Sequence, residues 1–427
     1  MEPIKPIPPL KAIPAYDTWH RNKKDENGRP IKSASYGKGK QWRGAYQDGL
    51  RHAPHTQGFA TKGDANTWAQ DQVAAIKAGR HITKDAAKKM MGVWGWEWLN
   101  ALGVDDGTYA GYASLLRLIL RYLKPHTVDG VKEIHVLEMM VDLQRKGYAY
   151  DTRIAVHRLL TRMMGTAERS GLRVGMPCSR TTFAKRDKSS GPTRNKTYCP
   201  TLQEFWDFYE ALAEDAKIAA MLGVGVGLRV SEASGADITD VDWTNHVYEP
   251  GTQYHPAFKR NGEAIPRTFD ASLKTPTSES AIPVDPWVID ELTSLLDGRK
   301  IGPIVRFGSG RAEGQRMPAP SLSSRVQQAV LAIGGEPAKL VPYGADGKMR
   351  CQMGFHSLRA LYGSVLSHGR YSPADVQRRM RHKNLSTTLN IYTNLVEDTE
   401  PGLLTLGETL RQAQLKHRKS KLGLRVV

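Results

Sequence analysis

MLGVGVGLRVSEASGADITDVDW, residues 221–243, can be read two ways. Its GVGVG invites a dinucleotide-binding fingerprint and, with it, a doubly wound parallel sheet. That fingerprint places glycines at G-x-G-x-x-G spacing between a strand and a helix, so that the backbone can approach a pyrophosphate. Here the spacing is absent and no clear strand precedes the glycines, so the nucleotide reading fails. What remains is an apolar, glycine-punctuated helix that delivers Arg229 at its end, with Glu232 three residues on.

Working outward, the groups downstream of Arg229 are chemically related. ASLKTPTSESAIPV (271–284) reads as a β-hairpin with Lys274 near its turn. GFHSLRALYGSVLSHG (354–369) carries His356 and Arg359 at i, i+3, on one helical face. RHKNLSTTLNIYTN (381–394) holds His382 and, on a short helix behind Ser/Thr start signals, Tyr392. Alone, Tyr392 would be a packing aromatic with a satisfied hydroxyl. Together the residues match the needs of attack on a phosphodiester. Charge that builds on the non-bridging oxygens can be met bidentately by two arginines. A tyrosine hydroxyl, with a pKa near 10, needs surrounding positive charge or a base to become a nucleophile. The leaving oxygen needs a proton, which a lysine or histidine can give. A metal role for His356 and His382 fails for want of acidic or thiol co-ligands.

The bulk numbers point the same way. The 427 residues include 61 Lys+Arg against 43 Asp+Glu, a formal charge of +18, and such an excess favours an anionic polymer as partner. No apolar run approaches the roughly 18–20 residues needed to span a bilayer. MEPIKPIPPLKAIPAY has no signal-peptide h-region. Cys178, Cys199 and Cys351 are far apart and in no metal-ligand pattern, which fits a reducing cytosol.

Composition separates the regions. Residues 1–20 are Pro-rich and expected to be irregular. Residues 21–80 hold a Gly-punctuated, strand-like stretch and then a helix from about Lys62 to Ala78. Residues 81–176 read as a bundle of four helices. One carries the stripe Leu115, Leu116, Ile119, Leu120 and Leu123, ending at Pro125; the next carries Val131, Ile134, Leu137 and Val141. The tryptophans of VWGWEWLNAL read as helix-packing residues rather than a base-stacking platform. Residues 177–200 form a basic linker with six Lys/Arg against the single Asp187. A mixed, mainly helical domain follows over 201–399, and 400–427 is a tail. The expected class is therefore multidomain α+β.

On these motifs the chain resembles the tyrosine recombinases, and in its whole architecture the phage-type integrases. GLRVSE fits the family's first arginine motif, HSLR its H-x-L-R, and RHKNLSTTLNIY its histidine-to-tyrosine motif, with Arg381 where the family has glycine and Ala360 where a histidine often stands. The resemblance implies that Arg229, Lys274, His356, Arg359, His382 and the nucleophile Tyr392 are catalytic, with Glu232 a supporting acid. It implies that residues 81–176 are a core-binding domain. Phe59, Thr61, Lys62, Ala65 and Trp68 fit the F-x-T-K-x-x-A-x-x-W that ends the three-stranded arm-binding domain, assigned to residues 21–80. Candidate DNA contacts are Lys40 and Arg43 there, and Arg180, Lys185, Arg186 and Lys188 in the linker. The implied partners are double-stranded DNA at core and arm sites, three further copies of the chain in a tetramer, an excisionase and a host DNA-bending protein. Neither cofactor nor metal is implied, and the implied location is the bacterial cytoplasm. A conjugative-transposon recombinase, a type IB topoisomerase and a non-catalytic DNA-binding regulator are the alternatives. Leu403, Leu406 and Leu410 give the tail a short apolar face. The resemblance favours its packing on a neighbouring protomer over folding back on its own domain, and its last basic residues, Lys416 to Lys421, are expected to be mobile or on DNA.

Overall fold

A computed structural model describes residues 7–49, 52–78, 82, 84–178, 197–260, 262–269, 280–343, 348–369, 371–382 and 404–422. The chain divides into two compact units. The first comprises Met1–Gly103, Tyr112–Asp142 and Ile154–Lys185; the second comprises Val104–Gly111, Leu143–Arg153 and Arg186–Val427.

The first unit opens with β1 (Lys11–Asp17), β2 (His20–Lys24), β3 (Pro30–Lys32), β4 (Trp42–Gln47), β5 (His55–Phe59) and α1 (Lys62–Lys77). Strands β1, β4 and β5 form an antiparallel sheet in the order β1-β4-β5, and β2 pairs with β3. The expectation of irregular structure through residue 20 is corrected, because β1 begins at Lys11. Pro14 is tolerated there because β1 is an edge strand whose register slips between Ile13 and Tyr16. Helix α1 is capped by the Thr61 hydroxyl, which accepts the Asp64 N–H at 3.1 Å. It then lies so close on the sheet that a Cβ at Gly44 would sit 2.5 Å from the Ala65 carbonyl oxygen. Ala65 and Ala69 are buried, and Trp68 packs between Tyr46 and Phe59.

Five helices follow: α2 (Lys84–Ala87), α3 (Met91–Ala101), α4 (Asp106–Leu123), α5 (Glu133–Arg145) and α6 (Tyr150–Arg169). Leu116, Ile119, Leu120 and Leu123 of α4 are buried, as their stripe implies. The stripe expected here holds at Val131, buried just before α5, and is corrected on α5 itself: Ile134 is 54% exposed and Val141 46%, while Val136, Met139, Met140 and Leu143 are buried. Both sets recur at helical spacing, so periodicity alone did not choose between two faces of one helix. Trp98 is buried, and its indole N–H donates to the Thr166 hydroxyl at 3.2 Å.

The second unit contains α7 (Leu202–Ala211), α8 (Glu214–Gly225), α9 (Val230–Gly235), β6 (Val241–Asp242), β7 (Val247–Tyr248), β8 (Phe258–Arg260), β9 (Glu263–Ile265), β10 (Ile282–Pro283), α10 (Pro286–Leu296), α11 (Ala319–Ile333), α12 (Gly335–Ala338), β11 (Leu340–Tyr343), β12 (Lys348–Cys351), α13 (Phe355–His368), α14 (Pro373–Met380) and α15 (Leu406–Lys421). Helix α8 is the axis of its core, buried from Ile218 through Gly225. The GVGVG glycines are packing residues: a Cβ at Gly223 would meet Leu358 of α13 at 2.9 Å, and one at Gly225 would meet Val288 of α10 at 2.4 Å. Strands β10, β7 and β6 make a small antiparallel sheet. Of the hairpin expected around Lys274, residues 270–279 lie outside the described residues, and Ile282–Pro283 pairs with β7 as β10. A described hairpin, β8–β9, stands earlier and carries Lys259.

Within the single chain the tail takes the other course, folding back on its own domain. Helix α15 lies against α7, α10 and α13 of its own chain, with Leu406 and Leu410 buried. His417 is buried between Asp207 at 2.9 Å and Glu210 at 3.3 Å, and Lys421 is ion-paired with Glu210. An apolar stripe states that a face must be covered, not by which chain. Leu403 lies outside the described residues. No helix among the described residues is long and apolar enough to cross a membrane.

Candidate active site

Where α8 ends, Gly227 takes φ +74°, and the Leu228 N–H donates back to the Leu222 carbonyl at 3.2 Å. Only glycine suits this turn, since a Cβ would also press into the Tyr362 ring at 2.5 Å. The turn delivers Arg229 as the N-cap of α9. Glu232, in the first turn of α9, reaches back to it twice. Its Oε2 accepts the Arg229 backbone N–H at 2.8 Å, and its Oε1 accepts from the Arg229 guanidinium at 2.8 Å. The Arg229 side chain is 40% exposed while that of Glu232 is 4% exposed, so the carboxylate fixes an arginine that still faces outward.

Helix α13 supplies the next groups. Arg359 is buried, and its guanidinium donates to the Gly227 carbonyl and to the Met380 carbonyl. It thereby joins the turn before Arg229 to the end of α14. Burial and the nearby Arg229 hold its pKa well below the usual arginine range. His356, at i−3, is exposed, so the shared helical face has one group at the surface and one inside.

Helix α14 ends at Arg381, the αL C-cap, and His382 follows. The Gln377 carbonyl accepts the His382 N–H at 3.1 Å, and the Gln377 side-chain amide donates to the His382 carbonyl at 3.1 Å. Burial lowers the His382 pKa, and Arg359, Arg229, His356 and Arg381 lower it further, to about 4. The ring is therefore neutral at pH 7. Glu232 is the counterweight. Burial would raise its pKa, but Arg381, Arg229, the Arg229 N–H and Arg359 hold it down at about 2. The Arg381 guanidinium donates to Glu232 Oε2 at 2.6 Å from a side chain with 0% exposure.

The structure thus brings together Arg229, Glu232, Arg359, His382 and, near enough to lower the His382 pKa, His356. Lys274 and Tyr392 lie outside the described residues, as do Arg180, Lys185, Arg186 and Lys188. Lys40 and Arg43 belong to the first unit and are exposed, Lys40 in the loop before β4 and Arg43 on β4, opposite Gly58 and Tyr16. Sequence reasoning noted Arg381 only as a departure from glycine. The signal was available, since a cation stands directly before His382, but its inward direction depends on backbone conformation. Among the described residues no cluster of His, Cys, Asp and Glu is placed to hold a metal ion. Three guanidinium groups around one carboxylate make a net cationic cluster, with Arg229 exposed at its edge, that suits an anionic oxygen group.

Residues 200–398 match the family model described as the phage integrase family. No curated protein sequence matches the chain. Among solved structures the chain is similar to the Tn1549 transposon integrase in complex with transposon right end DNA, at 18% identity and a TM-score of 0.55, over 78% of this chain and 99% of that one. It is similar to a lambda integrase dimer bound to a COC′ core site, at 18% identity and a TM-score of 0.51, over 84% and 95%. It is also similar to a lambda integrase tetramer bound to a Holliday junction, at 17% identity and a TM-score of 0.50, over 82% and 91%. At such identities the likeness is one of fold.

Proposed function

The chain carries a phage-integrase-family domain, that of the tyrosine recombinases, over residues 200–398, and from that premise we propose that it is a site-specific DNA recombinase working through a 3′-phosphotyrosyl intermediate. The observation that carries the reading is the convergence of Arg229, Arg359, Glu232 and a neutral His382 in one net cationic cluster.

Arg229 and Arg359 hold the scissile phosphate and neutralise the charge that develops on its non-bridging oxygens. The Tyr392 oxygen attacks phosphorus, the bond to the 5′-oxygen breaks, and Lys274 protonates that leaving oxygen. The 3′ end is then joined to Tyr392, and a free 5′-hydroxyl remains. His356 and His382 assist proton transfer and phosphate binding; a neutral His382 can accept a proton at pH 7. The 5′-hydroxyl of the partner strand then attacks the phosphotyrosine, releasing Tyr392 and exchanging the strands. The phosphodiester bond energy stays in the intermediate, so the cycle uses no nucleotide.

The substrate is double-stranded DNA at core and arm sites, and the working assembly is a tetramer on paired sites. An excisionase and a host DNA-bending protein set the direction of the reaction. The element served is a phage; a conjugative element is the second reading, favoured by the likeness to the Tn1549 integrase. The test uses two plasmids carrying the DNA that flanks the coding sequence and the matching chromosomal site. Exchange between them supports the proposal. Supercoil relaxation without exchange would instead indicate a topoisomerase, and binding without cleavage a regulator.

A further inference from the structure

Arg381 is an outlier in backbone and in burial at once. It takes φ +50°, and the other described non-glycine residues at positive φ are His246 and Asp297, types that tolerate this region better. Glycine would close α14 here without strain, and glycine is what the resembled motif has. A helix cap therefore does not account for the arginine. Nor does ordinary packing, because its charged side chain is fully buried, where a charge is costly unless paired.

What the strained backbone does is aim a guanidinium at Glu232, 2.6 Å away. Glu232 holds Arg229 through both of its carboxylate oxygens. One residue earlier, the Met380 carbonyl accepts from Arg359. The end of α14 is thus tied to both arginines of the cluster, and the chain that leaves it reaches Tyr392 ten residues after His382.

We propose that Arg381 is a positioning residue for the cleavage reaction: its guanidinium locks Glu232, and through Glu232 fixes the direction in which Arg229 meets the phosphate. The proposal rests on the recombinase reading above. It also makes Arg381 one of the charges that keep Glu232 ionised, together with Arg229 and Arg359, with the buried Tyr248 hydroxyl as the further titratable neighbour. His382 faces Arg359, Arg229, His356 and Arg381.

The test compares the full-length wild type with Arg381→Gly, Arg381→Asn, Arg381→Lys, Glu232→Gln and the Arg381→Gly/Glu232→Gln double variant on a nicked duplex carrying the core site. Glycine and asparagine both accept positive φ, so either can keep the fold. The expected result is core-DNA affinity within about twofold of wild type, with covalent-complex formation slowed roughly ten- to hundredfold, as for a lost charge-assisted hydrogen bond. In Arg381→Gly the acid limb of the cleavage profile should move to higher pH, because burial of Glu232 is then less opposed. Arg381→Lys should restore part of the rate and bring the limb back. In the Glu232→Gln background, removing Arg381 should cost little more. Wild-type rate and an unmoved acid limb in Arg381→Gly would overturn the proposal. So would additive losses in the double variant, or loss of fold in both the Gly and Asn variants, which would assign Arg381 to the fold alone. If the wild type forms no covalent complex, the recombinase reading fails and this proposal with it.

Discussion

Arg229 and Arg359 share a charge but not an environment. Arg229 is held by one carboxylate and faces outward; Arg359 is enclosed and held by two backbone carbonyls. Arg229→Ala should therefore lower cleavage by roughly two to three orders of magnitude while the domain stays folded. Arg359→Ala should lower cleavage comparably and also lower the melting temperature, since it unties Gly227 from Met380; parallel cleavage and melting assays separate the two. Acid should destabilise the domain in two stages. Glu232 contributes stability that is present above its ordinary value of 4.5 and lost as pH falls towards about 2. His382, pushed below its ordinary 6.5 to about 4, loses stability as pH falls through that window, because the unfolded chain binds the proton first. Melting temperature should thus begin to fall below about pH 6.5, and His382→Gln should flatten the upper stage while leaving the lower one. At this scale the sequence named Arg229, Glu232, Arg359 and His382, which lie together in the fold. It was silent on Arg381, because a motif records which residue departs from glycine but not where a strained backbone points it.

Helix packing explains why the motif helices meet. The GVGVG run, which looks like a nucleotide signature, is a smooth surface that lets α10 and α13 close on α8. Gly225→Ala should cost about 1–3 kcal/mol in denaturant unfolding, as overpacking does, because its Cβ would sit 2.4 Å from Val288. Helix α15 is likewise part of its own domain, so Leu410→Ala should cost about 2–5 kcal/mol, and a monomer truncated after Thr399 should unfold more readily. An unchanged unfolding midpoint in Leu410→Ala would mean that α15 is undocked in solution. The stripe on α4 was legible because only one face of that helix is apolar. On α5 two faces are, and only the neighbours decide which is buried. The start of β1 was hidden by prolines that an edge strand accommodates.

For the whole molecule, the proposed recombinase reading, with a charge of +18 and two compact units, calls for distributed contact with DNA. Removal of residues 1–80 should leave cleavage of isolated core DNA intact but abolish integrative recombination on a full attachment site, since tethering raises the local concentration of the catalytic half. Both binding modes should weaken steeply with salt as counterions are released. Where proline, glycine and charge interrupt packing was legible from composition, but not how the segments group into two compact units. The direction of the tail was not, because an apolar face does not name its partner. The central claim concerns one oxygen atom. A nicked suicide duplex should trap wild-type protein on DNA as a band that survives denaturation and is unaffected by a metal chelator, and Tyr392→Phe should bind the same duplex with near-normal affinity yet give no such band. A covalent band of normal yield from Tyr392→Phe would contradict the claim.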